Sequence, residues 1–356
     1  MAILKKSKQV ENYLRNAIVT GRWSAGSMLP SERELLAEFG ISRATLRDAL
    51  NSLCNEGLII RKQGSGTYVA ETTEHRQFAI TGSASCISSS LGYWHQDILE
   101  KAQKKVAAAG YKAVFWIGDS TSLSSFLEST ALFENSNIRQ TVGVFNNVCI
   151  EGFDQKLAQE GVPCININHG VPVGKYSIVL DYAELSDRAA QILKSHGYND
   201  FMVMCEPTRA FSNDSVIRQL QTNLIQLYRR TVDYDETRLL TVDTTNGFHN
   251  VYERFKEVWA SSSRPRALFF FDDAFFDVAS RAILELGIKV PEELAIVTHA
   301  NVGRTFHFPV SLTRVGFSAD DVIKAAWNMY QQVIDGREID SSVVLIPPVV
   351  KHGDSL

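Results

Sequence analysis

The sequence predicts two units of different fold class. An N-terminal α+β module of short helices and a two-stranded ribbon precedes a larger α/β domain of two lobes with doubly wound parallel sheets. Three observations carry this reading. Residues 29–69 combine helix caps, apolar positions at helical spacing and two short strand-like runs around a glycine-rich tip. From residue 79 onward, short unbroken apolar runs alternate with amphipathic stretches, the pattern of parallel strands covered by helices on both faces. Between them, residues 71–77 (ETTEHRQ) are polar and aperiodic and read as a linker. The expected boundaries are 1–71 for the first module, 72–78 for the linker and 79–356 for the two-lobed domain.

In chain order, Val10, Tyr13, Leu14, Ala17 and Ile18 place one apolar face on a first helix that stops at Gly21. A turn over 22–26 follows, with Trp23 read as packing. Ser31 is a natural N-cap, and Glu34 three residues later completes a capping box. Leu35, Leu36 and Phe39 give this second helix its apolar face, and Gly40 ends it. Ser42 caps the next helix at once, and Leu46, Ala49, Leu50 and Leu53 mark its buried side. Arg43 and Arg47, four apart, project together from another face. Residues 58–60 and 67–69 then read as strands around the turn 63–66.

A helix with paired arginines, held by a second helix across a tight turn, suits the major groove of DNA. Arginine can grip guanine in a bidentate way and can pair with phosphate oxygens. A glycine tip lets backbone approach a duplex without an intervening side chain. The competing reading is an ordinary helical pair with solvated arginines. Caps, turn, arginine spacing and ribbon occurring together favour DNA. Lys5, Lys6 and Lys8 read equally as phosphate contacts or as a solvated end.

The charge balance agrees once the chain is divided. Residues 1–71 hold 10 Lys plus Arg against 7 Asp plus Glu, net +3, leaving 26 against 33, net −7, for the rest. Positive charge is concentrated where the arginine helix lies. The 45% hydrophobic composition supports real cores. Cys54, Cys86, Cys149, Cys164 and Cys205 show no CxxC spacing and no zinc-type cluster with histidine, so reduced thiols in the cytoplasm are expected. Neither a signal-peptide core nor eighteen uninterrupted apolar residues occurs, so a soluble protein without a membrane partner is expected.

The first seventy residues resemble the winged helix-turn-helix of the GntR family of bacterial transcription regulators. They match its LPSE-R-ELA run at 29–37, its S-R-x-T-x-R-x-A-L run at 42–50, its L-x-x-E-G-L-I run at 53–59 and its G-x-G-T-x-V wing at 64–69. The resemblance implies that Arg33, Arg43 and Arg47 contact double-stranded DNA, with Ser42 and Thr45 at phosphates or base edges. The wing residues Gln63, Gly64, Ser65 and Gly66 would reach the minor groove or its rim.

In the larger domain the expected strands are 84–87, 114–117, 142–145, 164–167, 178–180, 201–204, 239–242, 268–271 and 295–298. Helices such as 95–109, 184–196, 214–228, 248–261 and 274–286 lie between them, several ending at Gly110, Gly197 or Gly287. Ligands in such sheets bind beyond the carboxyl ends of strands. The loops there hold Ser89, Ser90, Tyr93 and Trp94, then Asn146 and Asn147, Asn168, Asp181, Asp272 with Asp273, and His299 with Asn301. Hydroxyls, amides, carboxylates and aromatic rings converging on a cleft suit a polyhydroxylated ligand. The alternative is that Asp and Ser residues here simply cap helices, as Asp181 and Asp273 could.

Residues 79–350 resemble the effector domain of LacI/GalR-type regulators, which are related to periplasmic sugar-binding proteins. The shared features include A-A-A-G-Y at 107–111, G-V-P-C-I at 161–165, V-x-D at 179–181, A-x-x-I-L-K-S-H-G-Y at 189–198, the segment 265–296 and S-L-T-R-V at 311–315. By position, Asn168, Arg218 and Asp272 would face the effector with the 89–94 loop. Arg218 lacks the aromatic and glycine that usually follow it. Where the family usually has G-[FY]-D-D, this chain reads Thr298-His299-Ala300-Asn301, so His299 or Asn301 would replace the usual aspartate. A GntR-type head on a LacI-type domain resembles arabinose-responsive repressors, which implies a pentose.

The function so implied is a dimeric, sequence-specific transcription regulator, a repressor of carbohydrate-utilisation genes released by a sugar or sugar derivative. The lobes would close about crossovers near Asp181, Pro309 and Val343. Helix 95–109 is an expected dimer surface by analogy. A co-repressor or sugar-phosphate response is the alternative within this class. An enzyme fused to a DNA-binding head is the alternative outside it, but no GxGxxG, P-loop, G-x-S-x-G or Schiff-base lysine setting occurs, and no cofactor is expected. A transport-type binding protein conflicts with the basic head.

Overall fold

The computed structural model describes residues 2–19, 21–55, 57–62, 64–70, 77–84, 92–131, 138, 140–148, 150–206, 215–243, 248–337 and 341–356, and the side chains of all these except 2–5, 19, 55, 92 and 215–221. Gln63, Ser89, Ser90 and the side chain of Arg218 therefore lie outside the described residues.

The head contains α1 (Ala2–Val19), α2 (Glu32–Phe39), α3 (Arg43–Asn55), β1 (Ile59–Lys62) and β2 (Gly66–Val69). Its core joins Val10, Leu14 and Ile18 of α1 to Leu35, Leu46, Ala49, Leu50, Leu53, Ile59 and Val69. These are the apolar stripes of the sequence, each turned inward because water is excluded from only one side of each helix. The ribbon pairs antiparallel from Ile59 with Val69 to Lys62 with Gly66. Its other edge is partly covered, since Leu29 N donates to Thr67 O (2.8 Å) and Val69 N to Ser27 O (2.9 Å).

The larger domain adds β3 (Gln77–Ser83), α4 (Gly92–Ala108), β4 (Lys112–Gly118), α5 (Leu123–Thr130), β5 (Thr141–Asn146), α6 (Phe153–Gln159), β6 (Cys164–His169) and β7 (Ser177–Leu180). It continues through α7 (Tyr182–Ser195), β8 (Met202–Cys205), α8 (Ser215–Thr231), β9 (Leu239–Thr241), α9 (His249–Ala260), β10 (Ala267–Phe270), α10 (Asp273–Glu285) and β11 (Ala295–His299). Last come β12 (Thr313–Gly316), α11 (Ala319–Ile334), β13 (Val343–Ile346) and β14 (Val349–Lys351).

Two six-stranded sheets result. The first lobe has the order β13-β7-β6-β5-β3-β4 and is wholly parallel. The second has the order β14-β12-β11-β10-β8-β9 and is parallel except for β14. The chain passes between lobes after β7, after β12 and after β13. One hydrophobic cluster joins both, with Phe78, Phe145 and Ile165 from one sheet and Val203, Phe269, Val297 and Val315 from the other. No helix of the described residues is long and apolar enough to cross a membrane.

Three expectations need correction. The first strand described is β3, which begins inside the expected linker and is buried along its whole length, while 85–87 of the expected strand 84–87 lie outside the described residues. Its Thr, Gly and Ser obscured it in sequence, yet the sheet satisfies them. The second crossing lies after Gly316, because Pro309 sits in the β11–β12 loop of one lobe. Helix α11, absent from the sequence reading, buries Val322, Ile323, Ala326, Trp327 and Tyr330 against the first lobe.

A buried polar ladder crosses the first sheet. Thr81 Oγ1 donates to Asn146 Oδ1 (2.8 Å), Asn146 Nδ2 to Asn166 Oδ1 (2.8 Å), and Asn166 Nδ2 to Tyr176 O (3.0 Å). Buried amides are tolerable only when paired in this way. Replacing Asn146 with Ala strands the Thr81 hydroxyl and the Asn166 carbonyl together. Asn146→Ala should therefore cost about 2–4 kcal/mol in urea unfolding, and an unchanged midpoint would show that the ladder adds nothing.

Candidate functional site

On the head, the local chemistry explains how α3 is displayed. Ser31 Oγ accepts from Glu34 N (3.3 Å) while Glu34 Oε2 accepts from Ser31 N (2.7 Å), closing the capping box on α2. Gly40 ends that helix in the left-handed region at φ 57°, and its N–H donates to Leu36 O. Two residues later Ser42 Oγ accepts from Thr45 N (3.2 Å) and starts α3. With Leu46, Ala49, Leu50 and Leu53 at 0–1% exposure, the opposite face must point outward. Arg33, Arg43 and Arg47 are exposed, and none forms a hydrogen bond or ion pair among the described residues.

Thr45 departs from the expected role. It is buried, at 4% exposure, and its hydroxyl is 2.8 Å from Ser42 Oγ, so it braces the cap while Ser42 stays exposed. At the wing, Gly64, Ser65 and Gly66 are exposed, and Ser65 Oγ lies 2.7 Å from Tyr68 Oη. The structure adds three residues to this surface. Lys62 Nζ sits 4.8 Å from the centroid of the Tyr68 ring, and Arg61 donates to Asn51 Oδ1 of α3 (3.0 Å), tying the wing to the arginine helix. In sequence only Tyr68 read as a strand residue, and Arg61 and Lys62 fell between the expected strand and turn; their joint placement depends on ribbon register.

The second site lies between the lobes, at the carboxyl ends of both sheets. A cavity of about 270 Å³ is lined by Tyr93, Trp94 and Asp97 from one lobe and Asp273, Asn301 and Arg304 from the other. Arg304 spans it: Nε pairs with Asp273 Oδ2 (2.8 Å), a second nitrogen pairs with Asp277, and the guanidinium lies 4.2 Å from the centre of the Tyr93 ring. Beyond the cavity runs a chain of rings. His95 and His169 are 5.8 Å apart, His169 and Tyr182 6.5 Å, and Tyr182 and His299 5.9 Å. Phe317 packs edge-on to Tyr182 at 5.1 Å and closes the floor.

Here several polar atoms are buried with no partner among the described residues: Trp94 Nε1, Asn147 Oδ1, His169 Nε2, and both ring nitrogens of His299. Beside His299, the Asn301 Oδ1 accepts from Phe317 N (2.8 Å). Asn147 Nδ2 lies 3.1 Å from His95 Nδ1, which makes that nitrogen the acceptor and leaves the proton on Nε2. Burial pushes the His169 imidazole down to about 3, and His95 and His299 add repulsion. Burial also lowers His95 and His299. These rings are therefore neutral at pH 7, each with one donor and one acceptor nitrogen, the acceptor of His95 being already taken by Asn147. Asp272 moves upward, through burial and the neighbouring Asp273, although Ala274 N donates to it (2.8 Å). Neutral donors and acceptors between aromatic faces suit a hydroxylated ring.

Of the expected effector residues, Tyr93, Trp94 and Asn301 line the cavity, and Asp272 and His299 lie deeper, about Tyr182. Asp272 also caps α10, the role the sequence allowed for Asp273, and Asp181 caps α7. Asn168 is corrected: it is 1% exposed and its amide donates to Val173 O and Ser177 Oγ (both 3.2 Å), so it fastens the β6–β7 connection. His95, His169, Tyr182 and Arg304 were missed, because isolated histidines and tyrosines carry no spacing signal until the lobes face each other.

Comparison with known proteins matches residues 6–69 to the family model "Bacterial regulatory proteins, gntR family" and residues 190–356 to "Periplasmic binding protein-like domain". The chain is 23% identical over 321 residues to the arabinose metabolism transcriptional repressor of Halalkalibacterium halodurans, covering 86% of this chain and 83% of that protein. The head alone is 45% identical over 64 residues to the histidine utilization repressor of Klebsiella aerogenes, 18% of this chain and 27% of that protein. In fold, the chain is similar to the CelR transcriptional regulator in complex with cellobiose, with a TM-score of 0.60 at 17% identity over 92% of this chain and 100% of that one. The chain thus joins a GntR-type helix-turn-helix domain to a two-lobed periplasmic-binding-protein-like domain.

The buried rings imply opposing pH dependences. His169, held neutral, contributes its full stability above an unfolded value near 6.5 and loses it as pH falls toward 3, by up to about 1.4 kcal/mol per pH unit. Asp272, raised in the folded state, works the other way: its contribution is full below the ordinary carboxylate range and is lost as pH rises. Thermal melts from pH 4.5 to 8 should show His169→Asn relieving the acid-side loss and Asp272→Asn the alkaline-side loss. Parallel curves for either variant and the parent would refute its assignment.

Proposed function

We propose that this chain is a sequence-specific DNA-binding transcription regulator, a cytoplasmic repressor of carbohydrate-utilisation genes that a small sugar-like effector releases from its operator. The observation that carries the reading is the set Arg33, Arg43 and Arg47, exposed and unpaired among the described residues, on a module whose opposite faces are consumed by its own core. Arg43 and Arg47 would read base edges and phosphates, and the wing from Gly64 to Gly66 would approach the adjoining groove. The unpartnered atoms of Trp94, Asn147, His169 and His299 would receive the effector's hydroxyls. Similarity to an arabinose metabolism repressor over most of both chains makes L-arabinose the first sugar to test.

An effector can release DNA only by binding one arrangement of the lobes more tightly than the other. Closing the lobes about the three crossings supplies two such arrangements, because Tyr93 and Arg304 approach from opposite sides. A homodimer is part of the proposal. Among the described residues strand β4 pairs only with β3, and Phe115 and Ile117 stand 41% and 36% exposed on this edge strand. An edge strand that presents Phe115 and Ile117 invites a second copy across a two-fold axis.

Arg43→Ala and Arg47→Ala should each weaken binding to an operator selected from random DNA by about 1–3 kcal/mol. Their double variant should also flatten the salt dependence. Selection of no site by the parent protein would end the regulator reading. A panel of sugars and sugar phosphates, headed by L-arabinose, should raise the melting temperature. A ligand at one hundred times its Kd stabilises the fold by about 2.7 kcal/mol, and the stabilising sugar should be the one that displaces operator. Phe115→Glu should turn the dimer into a monomer by analytical ultracentrifugation; a dimer of unchanged strength would place the interface elsewhere.

A further inference from the structure

We infer that the head is docked on the base of its own first lobe through α1, and that this contact carries lobe motion to the DNA-reading helix. Three observations place it. A Cβ built on Gly161 would fall 2.3 Å from Asn12 Oδ1 and 2.4 Å from Asn12 Cγ, so the α1 side chain occupies the space that only a glycine leaves. Gly161 lies at φ 76° in the turn before β6. Leu58, between α3 and β1, packs against the head core and also against the cluster shared by the two lobes. Finally, Asn12 belongs to an ordered polar strip. Arg15 donates to Asn12 Oδ1 (2.8 Å) and to Glu11 Oε1 (2.5 Å), with Glu11 and Arg15 at only 6% and 8% exposure.

The position of this contact determines what it can do. Gly161 precedes β6, at the amino ends of the first sheet, whereas the cleft lies at the carboxyl ends. A docked head therefore leaves the cleft open, and Arg33, Arg43 and Arg47 remain exposed. The docked state is the one that binds DNA. The head moves as one body with the first lobe, so rotation of that lobe resets the separation of the two arginine helices in a dimer. This regulatory consequence rests on the regulator reading above; the docking does not.

Two measurements on the full-length protein test the parts separately. The Asn12 and Gly161 positions bring two Cβ atoms within about 4 Å, the spacing of a disulfide. Asn12→Cys combined with Gly161→Cys should cross-link within one chain under diamide, about tenfold or more above either single variant, because docking holds the thiols at high effective concentration. No linked peptide, with both thiols open to maleimide, would overturn the docking. The cross-linked protein should keep its selected operator within about threefold, and loss of binding would overturn the claim that the docked state is competent. Asn12→Trp, a wedge without the backbone strain of a Gly161 variant, should leave half-site binding unchanged. It should weaken binding to the paired site about tenfold and erase its preference for one half-site spacing. A wedge variant that keeps that preference would overturn the coupling. Failure of the parent to select any site would instead defeat the regulator reading and leave the cross-link result standing.

Discussion

The chain's three passages between two parallel sheets are the constraint on which the rest of the structure depends. A parallel sheet aims every strand's carboxyl end in one direction, and the passages hold two such ends face to face. The cluster that includes Phe78, Phe269 and Phe317 then ties the lobes into one packed body at their junction. Groups far apart in sequence meet because of this geometry. His95 follows the first strand of one sheet, Tyr182 follows the first passage, and His299 ends a strand of the other sheet, yet their rings form one chain.

The head was largely legible because its determinants are local. A cap, a left-handed glycine and a stripe of leucines each act within one or two turns, so Ser31, Gly40 and Ser42 announce their roles without outside help. Thr45 shows the limit. Its neighbours in sequence are the same whether it faces DNA or the cap, and only burial decides. In the larger domain the rule that ligands sit beyond strand ends pointed to Tyr93, Trp94 and Asn301, which line the cavity, and to Asp272 and His299, which lie deeper. The same rule misplaced Asn168, whose amide is consumed by Val173 and Ser177 across a turn. Strand β3 hid for a related reason: Gln77, Thr81 and Ser83 look like linker chemistry until partners such as Thr141 and Asn146 satisfy them.

Polarity in the cleft is organised in depth. The ladder from Thr81 through Asn146 to Asn166 fixes the backbone that carries Asn147, because Thr81 Oγ1 also accepts from Asn147 N (2.9 Å). Asn147 in turn orients His95. Rigid supports behind unpartnered atoms mean that little conformational freedom is lost when those atoms gain partners, which is how a site becomes selective for shape. Arg304 plays a different part. Its charge is spent on Asp273 and Asp277, so it offers the Tyr93 ring a cation at short range while adding little net charge.

Strands β13 and β14 are separated by two prolines and belong to different sheets. Ser355 then seals the second lobe, its hydroxyl donating to Ile296 O (2.7 Å) and accepting from Thr313 N (2.9 Å). Neither lobe can therefore be finished while the ribosome is still making residues 343–355. The head, by contrast, draws its whole core from residues 10–69, so its side chains have all been made hundreds of codons before either lobe can close.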